Sequence, residues 1–439
     1  MFTVTPGRPI AVPACLCVSP AISVYLKDME PWRKNLYTLW GTQFLAMVGM
    51  NLVVPFLPFY IRHLGVTDPD DLARWSGLVF SGPFVLSLLT TPLWGALGDR
   101  YGRKPMVVRA IFGLALSQLL IGFSQDVYQL LAFRIVQGAI SGFIASSLAL
   151  VSANTPRERM GYAMGFMQSS TAGGMVLGPF VGGLLADLIG YRAIFFVTAG
   201  MCALSGIVVI LLVTELHKVH PEARSYTVRD NLRLMWHDRR LRVIAFTLVV
   251  AQMSVLMVEP IFALFVESFQ SDSQYISTIA GSVFSISGLF MVISAPWWGR
   301  RTDRQGYRKN LTIAFGVIGS VYVGHLLVSS LVQLAALRAF LGFARGAILP
   351  SLYALTSVWA PPERQGGMMA IASSMTIFGN LLGPSIGGLI AGTFGIQAPF
   401  IANSILLLLT SYAVWYFLQD PERHAPQPEE IPDAVSPNE

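Results

Sequence analysis

Pro92-Leu-Trp-Gly-Ala-Leu-Gly-Asp99-Arg100-Tyr-Gly102 returns further along the chain as Pro296-Trp-Trp-Gly-Arg-Arg-Thr-Asp303-Arg304-Gln-Gly306. Three further motifs recur at the same offset of 204 or 205 positions. Arg134-x-x-x-Gly138 is echoed by Arg338-x-x-x-Gly342, and Val54-Pro55 by Glu259-Pro260. Gly178-Pro179-x-x-Gly182-Gly183 is echoed by Gly383-Pro384-x-x-Gly387-Gly388. One offset held through four separate motifs means that the chain contains two copies of one unit.

The residues between the motifs say what that unit is. Of the 439 residues, 54% are hydrophobic and only 12% charged, and the mean hydropathy is +0.58. So little charge does not keep a soluble chain dissolved, whereas helices facing lipid need none. Apolar stretches recur near the length of about twenty residues that crosses about 30 Å of hydrocarbon. Hydropathy and loop criteria predict twelve spans, at roughly 38–60, 75–96, 106–124, 127–150, 162–186, 191–214, 243–266, 275–298, 310–329, 332–355, 367–391 and 395–418. The fold predicted is an all-α membrane protein of two pseudo-symmetric six-helix bundles, 31–214 and 243–418, joined by a basic linker over 215–242. Parallel repeats of this kind are one solution to alternating access, the halves rocking about a midplane site.

Lysine and arginine placement orients the spans. The loops on one side hold Arg100, Arg103, Lys104 and Arg109, then Arg157 and Arg159, then the linker, then Arg300, Arg301, Arg304, Arg308 and Lys309. The other side holds Arg62, Arg74 and Arg192. By the positive-inside rule the linker and both termini are cytoplasmic. Prolines 6, 9, 13 and 20 interrupt residues 1–30, which form a disordered arm or precede a natural start at Met29. The proline-rich, acidic tail over 419–439 is expected to be disordered.

Several functions are excluded. The charge of +6 is spread through short loops and forms no nucleic-acid patch. Cys15, Cys17 and Cys202 make no metal-ligand set, and the six histidines show no ligand spacing. No phosphate-binding Gly-x-x-x-x-Gly-Lys-Ser/Thr loop occurs, so a nucleotide-driven pump is not indicated.

The motifs resemble those of the major facilitator superfamily, and within it the twelve-span drug:proton antiporters, from about Pro31 to Phe417. The resemblance is closest to the MdtG-like multidrug efflux subgroup, through Val54-Pro-Phe-Leu-Pro58-Phe-Tyr, Trp75-Ser-Gly and Gly182-Gly-Leu-Leu-Ala-Asp-Leu-Ile-Gly-Tyr-Arg192. Gly95-Ala-Leu-Gly-Asp99-Arg100-Tyr-Gly102-Arg103-Lys104 matches the family's loop motif, whose glycines allow close helix ends and whose Asp99 can face a helix N-terminus or an arginine. The resemblance implies that it latches the cytoplasmic gate, with a weaker copy at Asp303 and Arg304. Gly174-x-x-x-Gly178-Pro179-x-x-Gly182-Gly183 matches the motif associated with antiporters, a small-residue stripe bent by its proline. The resemblance implies that this fifth span helps close the cytoplasmic side and that the protein exports.

Ionisable groups inside the bilayer are costly and mark candidate sites. Glu259 in span seven, Arg134 in span four, and Arg338 and Arg345 in span ten are such groups, in spans that line the cavity of the resembling family. Gln252 shares a helical face with Glu259, and Asn51 supplies a polar group in span one. Rise per residue places Glu259 level with Arg338, so a pair with Arg338 or Arg134 is expected, and Arg345 is expected deeper. An acid that exchanges a proton for a salt bridge is a simple coupling device. Three arginines against one glutamate favour anionic, zwitterionic or neutral substrates over strong cations. The function expected is proton-coupled efflux of small amphiphilic molecules by a monomer in the bacterial inner membrane. Protons, lipids and a small-molecule substrate are its partners, and the proton gradient drives it without a cofactor. A dedicated exporter of an anionic metabolite such as a siderophore, and an uptake symporter, are the alternatives.

Overall fold

The computed structural model describes residues 30–140, 142–215, 227–269 and 274–421. The expected N-terminal arm, all but the start of the expected tail and the middle of the linker lie outside the described residues. Among the described residues, twelve helices are long and apolar enough to cross a membrane. They are Pro31–His63, Pro69–Tyr101, Arg103–Gly122, Val127–Asn154, Met160–Ile189, Tyr191–Leu212, Arg239–Glu267, Ile276–Gln305, Tyr307–Leu327, Leu331–Trp359, Gln365–Phe394 and Ala398–Phe417, here spans one to twelve. Several run past the predicted ends because helix continues beyond the apolar core. Span two has 33 residues, about 50 Å of helix against about 30 Å of hydrocarbon.

The linker differs from the loop expected over 215–242. Its described part holds a helix, Val228–His237, and span seven begins at Arg239 after a turn capped by Asp238. Thr227 opens the linker helix with a reciprocal capping box to Asp230, and its hydroxyl and amide hold the Asp230 carboxyl below its ordinary range. Arg109, counted with the loop charges although within the predicted span 106–124, lies inside span three with its guanidinium 3.5 Å from the Trp94 ring. We call the end carrying the linker helix the linker end and the opposite end the distal end.

The repeat is written into the breaks and caps. Spans two, five, eight and eleven end on Gly102, Gly190, Gly306 and Gly395, all with φ between +83° and +100°. That left-handed backbone favours glycine. Span four breaks at Gly142, with φ +111°, and span ten at the equivalent Gly346–Ala347. A helix break frees the carbonyl one turn before it. The Trp94 indole donates to the Ala139 carbonyl and the Trp298 indole to the Phe343 carbonyl, each at 2.7 Å, so an equivalent tryptophan in each half takes up that acceptor.

The halves meet along spans two with eleven and five with eight. A Cβ on Gly77 would strike Pro384 and Gly388, and one on Gly281 would strike Pro179. Backbones approach this closely only where both helices present small residues.

Candidate functional site

The antiporter-motif glycines use two faces of span five. A Cβ on Gly174, Gly178 or Gly182 would meet Met47, Asn51 or Leu52 of span one, whereas Gly183 and Pro179 abut Ser277 and Gly281 of span eight. The span-one contacts lie within the N-terminal half, while Gly183 and Pro179 make the contacts between the halves, toward the distal end in this conformation. Pro179 lies inside span five, where it removes one backbone donor at the contact with Gly281 of the other half.

Three polar locks complete the distal closure. Arg62 of span one donates twice to Glu267 of span seven, both at 2.7 Å. Asp187 accepts from the Ser277 and Thr278 amides at 3.3 and 2.8 Å, capping span eight from the other half. The Arg74 guanidinium donates to the Gly392 carbonyl at 2.8 Å, near the end of span eleven. A carboxylate on a helix N-terminus and a guanidinium on a C-terminus both match the helix dipole. Sequence reading missed all three, although Arg62 and Glu267 stand at the repeat offset and carry opposite charges.

Beneath this closure lies a cavity lined by both halves, with Asn51 and Pro179 on one side and Glu259, Ser287, Arg338 and Arg345 on the other. Its volume is about 80 Å³, far below the roughly 300–1,000 Å³ of a pocket for a drug-sized ligand. Glu259 pairs with Arg345 at 3.6 Å, both side chains less than one-fifth exposed. The expected partners Arg338 and Arg134 are not the ones found. Side chains on a helix tilt toward its N-terminus, so the long Arg345 reaches back from the break in span ten to the level of Glu259. Arg338 instead lies over Phe262, its guanidinium 3.2 Å from the ring centroid, with Nε and Nη2 unpartnered among the described residues. It is 2% exposed, a buried cation held by a ring face.

Other expected site residues are placed elsewhere. Arg134 donates to Gln137 at 3.3 Å and packs against Gly82 of span two, outside the lining of this cavity. Gln252 donates to Asn380 at 3.1 Å and ties span seven to span eleven. Asn51 lines the cavity while its amide donates to the Met47 carbonyl.

In the loop motif, Gly95 has open space beside it and Gly98 faces Met106. Arg100 and Asp303 are exposed. Arg103 turns into its own half, donating to the Ala149 carbonyl and to Ser152. The side chain of Asp99 lies outside what is described, and the Glu215 carboxylate sits on the N-terminus of span three, accepting from the Arg103 amide at 2.7 Å and lying against Gly102. Asp420 does the same for span nine, accepting from the Arg308 amide at 2.9 Å beside Gly306. Neither acid was singled out from sequence, though they too stand one repeat apart and each follows the last span of its half.

Two six-helix bundles related by an internal repeat, closed at one end over a midplane cavity with buried charge, define an alternating-access membrane carrier. The chain belongs to the Major Facilitator Superfamily, whose model matches residues 39–332 and 244–437. It is 32% identical to the multidrug resistance protein MdtG of Proteus mirabilis over 89% of this chain and 98% of that one. To the MdtG of Salmonella typhimurium it is 33% identical, over 88% and 96%. The nucleoside transporter NupG superposes with a TM-score of 0.72 at 13% identity, over 87% of this chain and 98% of that one. The human organic anion transporter MFSD10 gives 0.65 at 20% identity, over 88% and 100%. The protein is therefore a multi-pass membrane transporter of small molecules and not an enzyme.

Proposed function

We propose that this protein exports small amphiphilic molecules, drugs among them, in exchange for protons across the bacterial inner membrane. The relatives named multidrug resistance proteins support the substrate range. The Glu259–Arg345 pair, buried between the halves, carries the coupling assignment. Deprotonated Glu259 holds Arg345; a proton on Glu259 releases the guanidinium and changes which conformation is favoured. The basic linker supports a cytoplasmic linker end, and with that orientation the conformation described is shut toward the outside.

A second reading, a dedicated exporter of one anionic metabolite, draws on the two arginines that share this cavity with one glutamate. Everted vesicles with a pre-formed proton gradient separate the two. We expect several chemically unrelated compounds to dissipate the gradient in the wild type and none to do so in Glu259→Gln. Response to a single anion class would favour the dedicated exporter. Undiminished dissipation in Glu259→Gln would remove Glu259 from coupling.

A further inference from the structure

The linker helix leaves an apolar stripe exposed beside two arginines. Its residues advance about 100° each around the axis, which sorts Val228–His237 into four consecutive arcs. Asn231 and Met235 are buried, Met235 against Leu241, Met368 and Ile371 of the C-terminal bundle. Val228, Leu232 and Trp236 follow, four residues apart on one face, and are 68%, 38% and 54% exposed. Arg229 borders that apolar stripe on its outer side, with Arg233 next to it at the rim of a recess shared with Asp230 and His237, and neither guanidinium enters an ion pair among the described residues. Asp230 and His237 occupy the last arc, opposite the stripe, and half-buried Leu234 lies between that arc and the buried one, packed with the Met235 cluster.

An apolar stripe edged by arginine and backed by polar groups is the pattern of a helix lying in the membrane interface. Position agrees. One residue, Asp238, separates the helix from the first residue of span seven, so the Trp236 end of the stripe lies close to where a spanning helix leaves the hydrocarbon. The Arg242 guanidinium donates to the Trp236 carbonyl at 3.2 Å and fixes the two helices at that corner. Tryptophan is enriched at this depth because its ring is apolar and its N–H polar.

We infer that Val228, Leu232 and Trp236 insert into the linker-side leaflet while Arg229 and Arg233 bind anionic phospholipid headgroups. Through Met235 the bound lipid holds the C-terminal bundle, so leaflet charge acts on one rocking half alone. The inference is independent of the transported substrate.

The test is amide hydrogen exchange on the full chain in nanodiscs of phosphatidylcholine, with and without one-third phosphatidylglycerol. Exchange over 228–237 is expected to slow in the anionic discs by on the order of fivefold per engaged arginine. Arg229→Gln with Arg233→Gln should abolish the difference while exchange in the spans stays unchanged, which shows that the variant is folded. Leu232→Asn should weaken the slowing with both arginines present. Equal exchange in the two disc types would overturn the inference. So would slowing that survives the double arginine variant, or that inorganic phosphate reproduces in neutral discs.

Discussion

Glu259 and Arg345 stabilise each other only as a pair. Removing one partner of a buried ion pair leaves an uncompensated charge at a cost of about 3–5 kcal/mol, whereas removing both is often close to neutral. Arg345→Gln should therefore lower thermal stability more than Glu259→Gln with Arg345→Gln does, and a thermal-shift series on purified protein reads the difference. Equal loss in both would mean that the 3.6 Å contact carries no coupling. The identity of the charged residues was legible in the sequence, because an acid or arginine inside an apolar run stands out. Which arginine faces Glu259 was not. It depends on a helix break at Gly346 and on a reach of several ångströms along span ten, neither of which residue spacing encodes.

At the scale of elements, the two broken spans are braced by equivalent tryptophans. Trp94→Phe and Trp298→Phe each remove one indole donor from a carbonyl, and a buried acceptor left without a partner costs about 1–3 kcal/mol. Both substitutions should lower the melting temperature by similar amounts, and markedly unequal shifts would show that the breaks are not mechanically equivalent. The small-residue stripes make a sharper prediction. Gly388→Leu would thrust a side chain into Ala73 and Gly77 across the interface between the halves. Spin labels at the distal ends of spans two and eleven should then report a wider separation. The stripe itself could be read from Gly-x-x-x-Gly spacing, but its direction could not. Which neighbour each glycine meets is set by how the helices dock, with one face of span five on span one and another on span eight.

For the whole molecule, the distal end stays shut through Arg62–Glu267, Asp187 on span eight and Arg74 on span eleven. Arg62→Glu places two carboxylates where a bidentate pair stood and should open that end. The reciprocal exchange, Arg62→Glu with Glu267→Arg, should close it again. Distances between labels on the loops after spans one and seven check both outcomes, and failure of the exchange to restore closure would assign the effect to packing. The twelve spans and the duplicated architecture were plain from hydropathy and the repeat. The locks were not, because they join residues from different halves that only the docked arrangement brings together.

Arg62 and Glu267 are the same position of the ancestral unit, counted once in each half, and they touch each other. A position that contacts its own counterpart lies on the pseudo-twofold axis, where in a symmetric dimer of one half it would meet an identical copy of itself. Two N-terminal halves would there oppose arginine to arginine, and two C-terminal halves glutamate to glutamate. Opposite charges at this one site make each half reject itself and accept the other, so a chain severed in its linker should reassemble as the mixed pair.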